Sequence, residues 1–120
     1  MKINILGTDY TVSRKRYEQD EYFKDNNAMG YCDEALKTIV VCDLQTCPGE
    51  DCGNSEALKI IEKETLRHEI IHAFLHESGL QSAATYKGSW AKNEEMIDWI
   101  AIQFPKMQKT FEQALERSSV

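Results

Sequence analysis

The stretch His68-Glu69-Ile70-Ile71-His72 holds two of the chain's three histidines around an acid. On a helix, residues four apart differ by about 40° in direction and about 6 Å in height, so the two imidazoles converge on one point. Two ligands of a tetrahedral metal ion need that arrangement. Glu69 stands beside the same point, where its carboxylate can hold and deprotonate a metal-bound water. Ile70 and Ile71 bring no rival ligand and anchor the helix in the core.

A hydrolytic zinc keeps three protein ligands and one open position. His76 continues the four-residue step, but eight residues of straight helix lift it about 12 Å above His68. It reads as a partner for the last helix carbonyls, or as a donor behind the ligands. The third ligand is better sought in Asn93-Glu94-Glu95-Met96-Ile97-Asp98. Glu94 and Asp98 share a face of a second helix, so Glu94 can bind the metal while Asp98 accepts the outer N–H of a ligand histidine. Glu95 lies about 100° around from Glu94, so at most one of them faces the site, and Glu94 is preferred.

The pattern His68-Glu69-x-x-His72 followed by Asn93-Glu94-x-x-x-Asp98 resembles the gluzincin metallopeptidases. The short length, the strand pair before the helix, and the stretch from Glu94 to Ala101 also resemble the ImmA/IrrE-like peptidases of phages and mobile elements. The resemblance covers about residues 30 to 105, with its specific part in about fifteen residues. It implies a zincin-like fold in which Zn2+ is held by His68, His72 and Glu94. It further implies Glu69 as general base, Asp98 behind a ligand histidine, and a peptide or protein substrate, such as a regulatory protein of a mobile element. The chain departs from the ImmA/IrrE pattern at Ile71, where that family carries Gly, and at Met96 and Ile97, where it carries small residues.

On this reading Glu69 takes the proton of the metal-bound water as that water attacks the scissile carbonyl, and passes it to the leaving amine. Tyr86, Lys87, Tyr31 or an Arg are the available donors to the oxyanion, unless the metal acts alone. The alternative to a peptidase is a regulatory or scaffold protein that binds zinc and turns over nothing. A latent peptidase, its cleft blocked by residues 106 to 120, is a third reading. Packing of Phe104, Met107, Phe111 and Leu115 on the core is the simpler account of that segment.

The elements that must position these residues are legible in the periodicity. Ile3, Ile5, Tyr10 and Val12 alternate with polar residues about Gly7-Thr8-Asp9, which predicts a strand, a turn and a strand. Tyr17, Tyr22 and Phe23 predict a helix within residues 13 to 27, and Ser13 to Glu18 read as a solvated basic patch. Tyr31 to Asp33 and Thr38 to Asp43 predict a hairpin. Thr38 to Cys42 is its strongest strand, expected to run along the cleft as an edge to which a peptide adds. Residues 44 to 54 read as a loop.

Asn54 or Ser55 caps a long helix that stops at Ser78-Gly79. Leu58, Ile61, Thr65, Leu66, Ile70, Ala73 and Phe74 mark its buried flank. A second helix starts near Asn93, with Pro105 expected to kink or restart it before a final segment to about Glu116. Trp90 and Trp99 read as core or rim residues. Strands first and helices after give an α+β chain, one minimal domain over residues 1 to 120.

Composition bounds the function. The 120 residues are 42% hydrophobic and 28% charged, with a net charge of -6. This is a globular balance, and the acidic charge repels phosphate backbones, against nucleic-acid binding. No apolar run approaches the roughly twenty residues of a membrane helix. The opening Met1-Lys2-Ile3-Asn4 is too polar for a secretory signal, so a cytoplasmic protein is expected. Cys32, Cys42, Cys47 and Cys52 lack zinc-knuckle spacing and read as idle thiols, with a Cys47–Cys52 bridge open under oxidising conditions. The oligomeric state stays open.

Overall fold

The computed structural model describes residues 1–48, 54–83 and 89–117. They form a mixed α+β unit in which one four-stranded sheet packs against a long helix, with a second long helix laid across that one. Strands β1 (Lys2–Ile5) and β2 (Thr8–Arg16) form a hairpin, β3 (Gly30–Asp33) and β4 (Thr38–Asp43) form another, and β2 and β4 join them in parallel. The sheet order is β1-β2-β4-β3. Helix α1 (Glu21–Asp25) lies between the hairpins. Helix α2 (Ser55–Glu77) runs over the sheet, the short α3 (Leu80–Ala83) follows it, and α4 (Glu94–Arg117) ends the described chain.

The strongest predicted strand is β4, but it is not an edge. Its run Ile39-Val40-Val41-Cys42 is buried between β2 and β3, and an almost wholly apolar strand belongs in that position because both its faces are covered. The edge beside the helices is β3. Residues 13 to 27 also differ from expectation. β2 continues to Arg16, a 3₁₀ turn follows at Tyr17–Gln19, and the helix is only five residues long. The extension pairs with β4 as far as Arg16 opposite Asp43, and Arg14 ties it further: its guanidinium donates to Asp43 at 2.9 Å and to both oxygens of Glu62 on α2 at 3.0 and 3.1 Å. Part of the supposed basic patch is therefore a tie between sheet and helix.

Both long helices begin at asparagines. The Asn54 side chain accepts from the Glu56 N–H at 2.8 Å, and that of Asn93 accepts from the Met96 N–H at 2.8 Å. α2 ends where Gly79 takes a left-handed conformation (φ 85°), open to a residue without Cβ. Along α2, Leu66, Ile70 and Ala73 pack with Ile5, Tyr10 and Ile39, whereas Phe74 is exposed.

α2 is also pinned by charge near both ends. Glu62 holds Arg14 and the Leu44 N–H near the start. At the end, Glu77 accepts from Thr8, from the Tyr10 hydroxyl at 2.6 Å and from the Lys37 ammonium at 2.6 Å. Those donors pull the Glu77 carboxyl down to about 2.

α4 is one helix. Pro105 lies inside it and does not restart it. Ile97 and Ala101 bury the first half against α2, while Phe104, Phe111 and Leu115 are exposed. Those three side chains thus do not pack on the core, while Met107 between them is half-buried. Trp90 and Trp99 are exposed as well. No described helix is long and apolar enough to cross a membrane.

Candidate metal centre

Mid-helix placement between two anchored ends puts His68, Glu69 and His72 at a fixed height over the sheet. α4 crosses beside them with Glu94 in its first turn, directly after the Asn93 cap. The Nε2 atoms of His68 and His72 are 3.1 Å apart. The Glu94 carboxylate lies 2.9 Å from the first and 3.2 Å from the second. Ligands bound about 2.0 Å from a tetrahedral zinc stand about 3.3 Å from one another, so this spacing leaves a divalent cation its usual bonds to all three. Among the described residues, these three are the only group of three or more His, Cys, Asp or Glu side chains close enough to share an ion.

Asp98 completes the arrangement from behind. Its Oδ1 lies 2.6 Å from Nδ1 of His68. A proton on Nδ1 then donates to the carboxylate, and the lone pair is left on Nε2, facing His72 and Glu94. Glu95 is exposed and outside the trio. His76 is also outside it: Nδ1 faces Glu34 at 3.8 Å, not the last carbonyls of the helix.

Glu69 is buried, with 7% of its surface exposed. Burial pushes its carboxyl above the ordinary value, against the opposing pull of His72 and His68. A carboxylate held out of water with a raised affinity for protons is suited to general-base work. It lines a small pocket with His72, Glu94, Gly30, Tyr31 and Cys32, so the exposed edge of β3 borders the acid.

That edge is open to pairing. The Cys42 N–H donates to Met29 O at 2.8 Å, and with Gly30 opposite Val41 the alternation turns the N–H and C=O of Gly30 and Cys32 away from β4. β3 reaches this place because Gly30 has no side chain. A Cβ there would stand 2.9 Å from both Thr65 Cγ2 on α2 and the Val40 carbonyl. A groove of about 500 Å³ continues from the histidines between Met29, Ile61, Ala101 and Ile102.

The candidate oxyanion donors separate. Tyr31 lines the pocket, but its hydroxyl donates to Asp20 at 2.5 Å, and burial with that carboxylate raises it to about 12. Tyr86 and Lys87 lie outside the described residues, as do Cys52 and any Cys47–Cys52 bridge. Burial raises the thiols of Cys32 to about 12 and Cys42 to about 11, so both stay protonated and neither is a ready ligand or nucleophile.

Sequence reasoning took Arg14 only as part of a basic patch and did not single out Glu62, Glu77 or Arg67. Each acts through a partner far along the chain, and no local spacing marks such a pair. Compared with family models, curated proteins and solved structures, the chain matches none.

Proposed function

We propose that this protein is a zinc-dependent metalloendopeptidase of the gluzincin type, with a zincin-like arrangement of its sheet and two ligand helices. One observation carries the reading: three ligand atoms at 2.9–3.2 Å from one another, bordered by a buried acid that is not among them. His68, His72 and Glu94 would hold Zn2+, and Asp98 would fix the His68 ring. A metal held there would supply Lewis acidity, lowering the pKa of a water and polarising a carbonyl. Glu69, buried beside the trio and not part of it, would take up the proton of the attacking water and deliver it to the leaving amine. A peptide substrate adds to the free edge of β3, where the backbone groups of Gly30 and Cys32 pair with it, and its side chains enter the groove toward Met29, Ile61 and Ile102.

A zinc-binding regulatory or scaffold role without turnover is the second reading. It is favoured by the openness of the site, since the Glu94 and Asp98 side chains are 65% and 63% exposed. The ligands alone do not choose zinc, because manganese, nickel and cobalt bind the same set.

Metal content of wild type, His72→Ala and Glu94→Ala tests the centre. One equivalent of zinc, lost or much weakened in both variants, is expected. A protein without tightly held metal after zinc-replete purification overturns the peptidase reading. Cleavage of a peptide library by wild type but not Glu69→Gln, both zinc-loaded, then separates enzyme from scaffold.

A further inference from the structure

Pro105 leaves a mark on α4 that reaches the metal centre. In an α-helix the N–H of residue 105 would bond the carbonyl of Ala101, and proline has no N–H to give. Ala101 is 1% exposed, so water does not readily replace the missing donor. A buried carbonyl without a partner is costly. The donor comes from α2: Nε of Arg67 bonds the Ala101 carbonyl at 2.6 Å.

This bond joins the two ligand helices beside the site. Arg67 precedes His68 on α2, and Ala101 lies one turn beyond Asp98 on α4. Glu94 and Asp98 are largely exposed and draw little positioning from packing of their own. Their places depend on where α4 sits, which Ile97 and Ala101 set by burial and the Arg67 bond sets in direction.

We propose that Arg67 is a positioning residue for the metal centre: by capping the carbonyl that Pro105 leaves without a donor, it fixes α4 along α2 so that Glu94 and Asp98 meet His68 and His72. The proposal rests on the metal-centre reading above. Pro105, on this account, creates the acceptor that lets an arginine grip a helix backbone in mid-run. A regular helix there would offer only carbonyls already engaged.

Cobalt titration of the metal-free protein tests it, because the visible absorption of bound Co2+ reports the number and geometry of its ligands. Arg67→Met keeps the apolar stem and deletes the donor. It is expected to weaken Co2+ binding about tenfold, the lower end of the range for groups that support metal ligands. It should also shift the visible band, and lower the unfolding temperature of the metal-free protein because the Ala101 carbonyl is left unpaired, a loss the double variant with Pro105→Ala recovers while its Co2+ binding stays weak. Pro105→Ala supplies a rival donor to the same carbonyl and should weaken binding by a similar factor, the double variant being no worse than either single one. Wild-type binding with Arg67→Met unchanged in affinity and spectrum overturns the proposal, and so do fully additive losses. Wild type failing to bind Co2+ overturns the metal-centre reading as well. Should Arg67→Met fail to fold, Pro105→Ala carries the test, and an unshifted band there overturns the proposal.

Discussion

Each residue at the centre has a separable task. His68 and His72 present their Nε2 atoms to a shared point because four helical residues bring them round to the same side. On the proposed reading Asp98 would act on a bound metal only through the His68 ring, so Asp98→Ala is expected to weaken zinc binding about 10–100-fold without removing a ligand, measurable by competition with a chelator. Glu69 has the opposite profile. Its burial costs stability and raises its proton affinity, and it stands outside the proposed ligand trio. Glu69→Gln is expected to retain one equivalent of zinc and lose about 10²–10⁴-fold in peptide cleavage, read from kcat with a fluorogenic peptide. Full cleavage by the zinc-loaded variant would remove Glu69 from the chemistry.

Elements matter here by their place in the sheet order. Because β4 is central, Val40→Pro or Val41→Pro removes a ladder donor or distorts a strand with neighbours on both sides. Loss of the folded protein is expected from either, seen as loss of the cooperative unfolding transition, and not a selective loss of peptide cleavage. β3 is the edge strand that the proposed function assigns to a peptide, and its approach to α2 depends on Gly30. Gly30→Ala forces Thr65 and the Val40 backbone to yield around a Cβ only 2.9 Å from each. A destabilisation of about 1–3 kcal/mol is expected in denaturant unfolding, the usual cost of overpacking. An unchanged midpoint would mean that β3 shifts freely and is not held against the helix.

The whole molecule is a short sheet clasped to α2 at two charged knots, with α4 reaching beyond them. Its extents of 52 × 36 × 29 Å reflect that reach, since the exposed second half of α4 projects from the body. The knot at Glu77 gives a pH dependence to the clasp. Its carboxyl is held at about 2 in the folded protein against an ordinary value of 4.5, so the unfolded chain binds the proton first as pH falls. The stabilisation is complete above pH 4.5 and is lost as pH falls from there toward 2. Wild type and Glu77→Gln should therefore differ most in unfolding temperature near neutral pH and converge in acid. A difference that is constant from neutral pH to pH 2 would assign the effect to packing and not to the carboxylate's charge.

Much of the element list was legible in the chain because it depends on local periodicity and on punctuation. The two hairpins, the asparagine-capped helices, the stop at Gly79 and the position of Glu94 one residue past its cap all follow from neighbours a few residues apart. The candidate ligands were nameable for the same reason: a four-residue step on a helix is itself a geometry. Tertiary structure decided the rest. Which strand is the edge depends on the parallel pairing of β2 with β4, which brings together segments about 27 residues apart and leaves no local signature. The donor that meets the Ala101 carbonyl within α4 comes from another helix, and the depth of Glu69 depends on what covers it. Local chemistry specified the donors, while long-range packing and charge set the distances between them.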